Sequence, residues 1–159
     1  MATMEWSDSL ELGVDQMDDT HKEFVEHLNA LSAAADEDML AQFDAFYAHT
    51  VEHFGQEHEW MQAIEFPPIH CHDTEHEGVL EVMREVRRHL EAGDYNVGRV
   101  LAREMGEWFR IHAGTMDAML AAVLKSGGAQ AVGCAHGRGC AGELSNGARL
   151  SQDEAGAQH

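Results

Sequence analysis

Apolar residues recur every three to four positions along four long segments of this chain, and this spacing is the strongest constraint on its fold. Such spacing places one continuous apolar stripe along an α-helix. The chain contains only two prolines, Pro67 and Pro68, and they are adjacent, so no proline interrupts a segment. Leu, Met, Ala and Glu are frequent in the flanking segments and favour helix over sheet. The sequence therefore predicts an all-α fold.

The four helices are predicted over residues 18–34, from residue 36 or 37 to Pro67, over 70–90, and from residue 94 or 95 to 124. Asp18 and the two residues after it offer N-cap and first-turn residues for the first helix. Pro67 and Pro68 end the second helix because proline cannot donate a helical hydrogen bond. Gly93 closes the third helix, and Gly127 closes the fourth. Four long amphipathic helices with short connections predict an up-down-up-down antiparallel four-helix bundle.

Both ends of the chain lack a sustained helical pattern. Residues 1–16 indicate an irregular N-terminal arm in which Gly13 permits a turn, and its apolar side chains can lie against the core: Trp6, Leu10, Leu12 and Val14. Residues 126–159 are rich in Gly, Ala and Ser, which is typical of a mobile tail. We therefore expect a bundle domain over residues 1–125 and a disordered C-terminal tail over 126–159.

The tail carries Cys134, His136 and Cys140. These side chains could bind a soft metal or be oxidised. A glycine-rich segment with two cysteines is nevertheless a weak signal compared with the ligand sets of structural zinc sites. The favoured interpretation is a disordered tail with an incidental pair of thiols.

The formal net charge of −19 restricts the partners of the chain. A chain this acidic is repelled by polyanions, which argues against nucleic acids and anionic membranes. The N-terminus lacks the basic start and apolar run of a secretory signal, and no apolar window approaches the roughly 20 residues that span a bilayer. We expect a soluble cytoplasmic protein whose partners are small molecules or cations.

The inner stripes of the helices turn polar at particular positions. The pairs His53/Glu57 and His72/His76 are each four residues apart, so each pair points from one helical face. The complete set of inward metal-competent residues is His21, His53, Glu57, His72, His76, His112 and Asp117. One buried histidine is usually a hydrogen-bonded core residue. Five imidazoles and two carboxylates cannot all satisfy one another, and buried charges are normally paired or bind metals, so a cation is indicated.

The order of these residues resembles the hemerythrin family, specifically its single-domain bacterial members. The resemblance covers residues 6 to about 120. It is carried by Trp6, an Asp, a Gly and His21 in that order, by HFxxE at His53–Glu57, by HxxxH at His72–His76, and by Trp108, His112 and Asp117 with their spacing. It implies a four-helix bundle with a non-haem di-iron centre that reversibly binds dioxygen.

The resemblance also implies a division of the ligands between two irons. It assigns His72, His76 and His112 to one iron, His21 and His53 to the other, and Glu57 and Asp117 as bridges. With a shared oxo or hydroxo bridge, the first iron has six ligands and the second has five. The position that stays open on the second iron is where dioxygen is expected to bind.

One spacing does not fit an ideal helix. Asp117 follows His112 by five residues, which is about 140° around a helix at roughly 100° per residue. Met116 would fit the inner stripe better. Either the fourth helix contains a π-type bulge at this point, or the carboxylate reaches the centre from the side.

Other residues lie close to these positions in sequence. His58 and His70 are expected to face solvent, because neighbours on a helix point about 100° apart. Cys71 is expected to be a small buried or boundary residue, with a redox role as the minor alternative. The remaining large side chains are expected in the core, some as walls of the open position: Phe54, Trp60, Met61, Trp108, Phe109 and Met116.

Three functions follow from this site. Reversible dioxygen binding for storage, delivery or sensing is favoured, and we expect no enzymatic role, with a monomer as the default state. The second function is a di-iron enzyme acting on peroxide or nitric oxide. It is less favoured because oxygen-activating bundles use carboxylate-rich sets, whereas this chain offers five histidines to two carboxylates. The third is iron or zinc handling, supported by the acidic charge and by Cys134 and Cys140.

Overall fold

The computed structural model describes residues 2–127, and this part of the chain contains helices and no strands. The α-helices are α1 (Asp15–Ala33), α2 (Met39–Ala63), α3 (Ile69–Glu91), α4 (Asn96–His112) and α5 (Ala118–Lys125). A π-helix, Ala113–Asp117, joins α4 and α5 into one long fourth helix. Short 3-10 turns occur at Asp8–Leu10 and Asp36–Asp38. The all-α prediction is confirmed.

The helices form a four-helix bundle in which each helix packs against its two neighbours. α1 contacts α2 and α4, and α3 contacts the same two helices from the opposite side. The larger apolar cluster fills one part of the interior and includes Phe24, Phe43, Phe46 and Phe109. A smaller cluster around Met17, Met61, Phe66 and Leu120 fills a second part of the interior. The predicted up-down-up-down bundle is confirmed, and its interior carries the polar residues described below.

The start of α1 differs from the sequence-based expectation. The helix begins at Asp15, and Asp18 is a buried residue of its first turn. The Asp18 carboxylate accepts hydrogen bonds from the N–H groups of Leu12 (2.8 Å) and Gly13 (3.0 Å). Gly13 has a φ of +86°, which makes the turn that presents these two donors. Asp18 therefore holds the arm against α1. It lies in the first turn, as one part of the prediction had it, whereas the predicted N-cap role was wrong because Val14 is the N-cap.

The N-terminal arm is fixed at a second place. The Asn29 side chain accepts hydrogen bonds from the N–H groups of Thr3 (2.9 Å) and Met4 (3.0 Å) and donates one to the Met4 carbonyl (2.7 Å). Met4 is buried in the larger cluster. Two apolar side chains of the arm pack on the larger cluster and two on the smaller one: Trp6 and Leu10, then Leu12 and Val14. The arm lies against the core as the sequence predicts.

Most other boundaries lie close to their predicted positions, but α2 ends at Ala63, four residues before Pro67, and Glu65 in the turn that follows has a φ of +49°. The acidic residues expected to begin the second helix form the 3-10 turn Asp36–Asp38, and α2 starts at Met39. Gly93 has a φ of +93° directly after α3, and Gly127 has a φ of +89° after α5, as a glycine stop requires. None of the helices in residues 2–127 combines the length and apolar character needed to cross a membrane. The residues of the predicted tail with Cys134, His136 and Cys140 lie outside the described part of the chain.

Candidate metal centre

The structure brings together all seven residues that the sequence singles out. His21 comes from α1, His53 and Glu57 from α2, His72 and His76 from α3, His112 from the end of α4, and Asp117 from the end of the π-helix. Each of the seven residues is at most 3% exposed. Charged and imidazole groups therefore meet in the interior, where unpaired polar groups are costly.

The π-helix places Asp117 in this group. An α-helix would turn Asp117 about 140° away from His112, whereas the wider π-turn accommodates one extra residue. Asp117 is fully buried as a result, and Met116 is only partly buried. Of the two possibilities left by the sequence, the structure shows the π-type bulge.

The Glu57 carboxylate lies between two sets of histidines. Its Oε2 is 2.8 Å from His53 Nε2 and 3.5 Å from His21 Nε2. Its Oε1 is 3.3 Å from His72 Nε2 and 3.4 Å from His76 Nε2. Glu57 thus directs one oxygen to each set.

Asp117 repeats this arrangement from the other side of the bundle. Its Oδ1 is 3.1 Å from both His72 Nε2 and His112 Nε2. Its Oδ2 is 3.2 Å from His21 Nε2. The two carboxylates therefore stand between the same two sets of imidazoles, with one oxygen of each on either side.

Two overlapping groups of possible metal ligands result. The three-histidine group consists of Glu57, His72, His76, His112 and Asp117, and the two-histidine group consists of His21, His53, Glu57 and Asp117. In each group the ligand atoms all lie within 4.8 Å of one another. The groups share both carboxylates, and the two-histidine group offers one imidazole fewer.

The spacing of the donor atoms fits metal ions. Two donors that are each about 2.1 Å from one ion and at right angles to each other lie about 3 Å apart. His76 Nε2 and His112 Nε2 are 3.0 Å apart, a separation that suits two ligands of one ion. Both Asp117 oxygens, Glu57 Oε1 and His72 Nε2 are buried without a hydrogen-bond partner in the described part of the chain. Cations bound between these atoms would satisfy them.

The pKa values show that the carboxylates draw positive charge into the interior. Burial alone would lower the pKa of His21 and His72, but the close contacts with Asp117 and Glu57 raise both pKa values to about 9. Burial would raise the pKa of Asp117, yet the neighbouring imidazoles hold it well below its usual range. Protons on two histidines thus balance the two carboxylates in the metal-free protein, and metal ions would replace them.

Aromatic rings pack on the imidazoles. Phe54 stacks on His76 with ring centroids 3.7 Å apart, and Trp108 stacks on His112 at 4.4 Å. The indole Nε1 of Trp108 donates a hydrogen bond to Glu75 (3.1 Å), which fixes this ring. These contacts restrict the rotation of the imidazoles and surround them with apolar surface.

Two further aromatic rings complete the wall beside the two-histidine group. Phe109 meets His21 edge-on at 5.0 Å, and Phe24 meets His53 at 5.8 Å. Phe24 and Phe109 also stack on each other at 4.5 Å. The core residues expected to wall the site therefore include Phe54, Trp108 and Phe109, and the structure adds Phe24.

The sequence neighbours of the site lie at its edge. His70 is exposed, as expected. The His58 side chain is 41% exposed, and its Nδ1 is 2.8 Å from Asp73 Oδ2, so it links α2 to α3 as well as facing solvent. Cys71 lies in the first turn of α3 and is partly buried.

One residue near the site was not singled out by sequence reasoning. His49 is partly buried, and its ring centroid lies 5.9 Å from that of His53 and 5.0 Å from that of His27. The signal in the sequence was the HxxxH spacing of His49 and His53, which overlaps the HFxxE motif. Burial and then the proximity of His53 and His27 lower the pKa of His49 to about 4.

Comparisons with known proteins found a matching family model, similar curated proteins and a similar solved structure. The family described as Hemerythrin HHE cation binding domain matches residues 12–124. A bacteriohemerythrin of Ralstonia nicotianae is 44% identical over 131 residues, which cover 82% of this chain and 96% of that protein. A bacteriohemerythrin of Methylococcus capsulatus is 28% identical over 123 residues, which cover 74% and 93%. A crystal structure of a hemerythrin mutant superposes on this structure with a TM-score of 0.71 at 24% sequence identity, and the match covers 77% of this chain and 97% of that chain. This likeness supports the fold alone.

Proposed function

Because the chain belongs to the hemerythrin family, we propose that it is a non-haem di-iron protein that reversibly binds dioxygen. The observation that carries this proposal is the arrangement of Glu57 and Asp117, each of which turns one oxygen toward each histidine group. Two carboxylates placed in this way are suited to bridge two ions. The bacteriohemerythrins to which the chain is similar support the same assignment.

The proposed ligand assignment follows the two groups. His72, His76 and His112 would hold one iron, His21 and His53 would hold the other, and the Glu57 and Asp117 carboxylates would be shared by both. Two ferrous ions held in this way would supply the two electrons and the open position that dioxygen binding requires. The open position would belong to the two-histidine group, because that group contributes one imidazole fewer.

The surrounding residues favour binding over turnover. Phe24, Phe54 and Phe109 are all at most 5% exposed and cover the imidazoles that they contact with apolar surface. Exclusion of water and anions slows the irreversible oxidation of a reduced centre. The donor set of five histidines and two carboxylates also differs from the carboxylate-rich sets of oxygen-activating bundles. We therefore propose a binding role that serves storage, delivery or sensing.

The test combines iron analysis with visible spectroscopy on the full chain. The protein is loaded with ferrous iron without air, desalted, and then exposed to dioxygen and to vacuum in repeated cycles. The expected result is two irons per chain and a visible band that appears with dioxygen and fades on its removal. A band that bleaches irreversibly, or a single iron per chain, would contradict the proposal. Steady consumption of peroxide or nitric oxide above that of free iron would favour the enzymatic alternative.

A further inference from the structure

A pocket of about 480 Å³ opens between α1 and α2 beside the two-histidine group. It is lined by Gln16, Thr20, Glu23, His49, Glu52, His53, Gly55, Gln56 and Glu59. Three of these residues are glutamates, and none is lysine or arginine. This pocket, which we name the acidic pocket, therefore attracts cations to a place next to the candidate metal centre.

The acidic pocket ends at a residue of the centre itself. His53 lines the pocket and is only 3% exposed. Its Nε2 lies 2.8 Å from Glu57 Oε2, inside the centre. Its Nδ1 is buried and has no hydrogen-bond partner within residues 2–127. His53 thus forms the boundary between the pocket and the bridging carboxylate.

A second imidazole lines the acidic pocket. His49 lies one helical turn before His53, and their ring centroids are 5.9 Å apart. His49 Nε2 is buried and also lacks a hydrogen-bond partner in the described part of the chain. The two histidines therefore place two imidazoles in the lining of the acidic pocket, and His53 is the one that reaches the centre.

A glycine within a helix lines the acidic pocket. Gly55 lies within α2, where glycine is less favourable than alanine. It is exposed, and a Cβ at this position would meet no atom within 4 Å. The helix therefore has no side chain at this position of the pocket, and packing against neighbouring residues does not explain why.

We propose that the acidic pocket is the route by which divalent cations reach the metal centre. Glu23, Glu52 and Glu59 attract the ion, and His49 and His53 offer successive ligands on its way to Glu57. A cation fits this lining better than the other candidates, because anions are repelled by it and dioxygen, which is uncharged, gains nothing from the carboxylates. The inference rests on the proposed function, since it assumes that the centre holds metal.

The first experiment separates this pocket from the general negative charge of the chain. The variant E23Q/E52Q/E59Q removes the three carboxylates of the pocket. Its control, E11Q/E37Q/E81Q, changes the net charge equally at exposed positions outside the pocket. Ferrous iron is mixed rapidly and without air with the metal-free full chain, and binding is followed by quenching of tryptophan fluorescence, because Trp108 stacks on His112. Circular dichroism checks that each metal-free variant keeps its helices.

The expected result is slower uptake in the pocket variant alone. At about 20 mM salt its uptake rate should fall at least about fivefold, within the range of electrostatic steering, and the difference should shrink below about twofold at about 0.5 M salt. The final iron content should equal that of the wild type. Equal slowing in the control variant would assign the effect to overall charge and would overturn the proposal.

The second experiment blocks the pocket without changing its charge. Gly55→Leu adds a side chain at the pocket. Gly78→Leu is the matched control, since Gly78 is also an exposed helical glycine at which an added Cβ would meet no atom within 4 Å. A blocked route slows both uptake and removal of iron by a chelator, because ions leave by the path through which they enter. We expect both rates to fall in Gly55→Leu and to stay at the wild-type value in Gly78→Leu.

The outcomes distinguish this inference from the proposed function. If the wild type takes up no iron, the proposed function fails. If the wild type takes up two irons and both pocket variants load and unload at the wild-type rates, the centre stands and the acidic pocket is not the route.

Discussion

Replacing Asp117 with alanine should weaken the binding of both ions of the proposed centre at once. Asp117 is fully buried, with Oδ1 3.1 Å from His72 Nε2 and Oδ2 3.2 Å from His21 Nε2. The substitution therefore removes one donor from the three-histidine group and one from the two-histidine group. His76→Ala removes a donor from the three-histidine group only.

The expected magnitude follows from the number of donors lost. A structural site with four ligands binds zinc with about 10–16 kcal/mol, which is about 2.5–4 kcal/mol for each ligand. On this scale Asp117→Ala costs about 2.5–4 kcal/mol at each of two ions, or roughly a hundredfold to a thousandfold in each affinity. His76→Ala has the same cost at one ion only.

The assay is iron content per chain at a free iron concentration that just saturates the wild type. We expect about one iron in His76→Ala and almost none in Asp117→Ala, given the affinity losses above. Asp18→Ala is the control, because Asp18 is another buried carboxylate but binds the arm instead of facing the centre. It should lose stability and keep both irons.

Retention of two irons and a normal visible spectrum in Asp117→Ala would refute the bridging assignment. Loss of only one iron would show that Asp117 serves a single ion. Loss of iron in Asp18→Ala as well would trace the effect to the removal of any buried carboxylate from the bundle.

Three further predictions concern the metal-free fold and its packing. The pKa of His21 and His72 is raised from 6.5 to about 9, so their contribution to stability is complete below pH 6.5 and is lost as the pH rises through about 9. The urea midpoint of the metal-free protein should fall over this range, and an unchanged midpoint would argue against the carboxylate contacts. Gly98→Ala should destabilise the protein relative to Gly78→Ala by about 1–3 kcal/mol in urea unfolding. A Cβ at Gly98 would lie 2.5 Å from the sulfur of the buried Met39, whereas a Cβ at Gly78 would meet open space. Equal stabilities would show that the core accommodates the added methyl group without cost. Asn29→Ala should lower the free energy of unfolding by about 1–3 kcal/mol, because it leaves two N–H groups and a carbonyl of the arm without their partner. A smaller loss in the same urea assay would mean that the arm adds little stability.

Much of the fold could be predicted because it depends on local periodicity. The apolar stripes indicated the number of helices, and Gly93 and Gly127 stop α3 and α5 as expected. The start of α1 was missed because Asp18 binds backbone groups of Leu12 and Gly13, which precede the helix. A local N-cap pattern does not distinguish a side chain that caps its own helix from one that holds an adjacent segment.

The candidate site was predictable to the same extent. The i, i+4 spacing of His53 with Glu57 and of His72 with His76 placed each pair on one helical face, and all seven residues meet in the structure. His49 was overlooked although it has the same spacing to His53, because its environment depends on residues of α1 that sequence spacing cannot align with it.

The sequence by itself determined which residues face the interior, because helical periodicity depends only on near neighbours along the chain. The tertiary structure decided how they are used. It resolved the five-residue spacing of His112 and Asp117 as a π-helix, turned one oxygen of each carboxylate to each histidine group, and left the acidic pocket against His53. These features depend on how each of the four helices is rotated and positioned relative to the others. Side-chain packing between segments that are distant in sequence sets those rotations and positions.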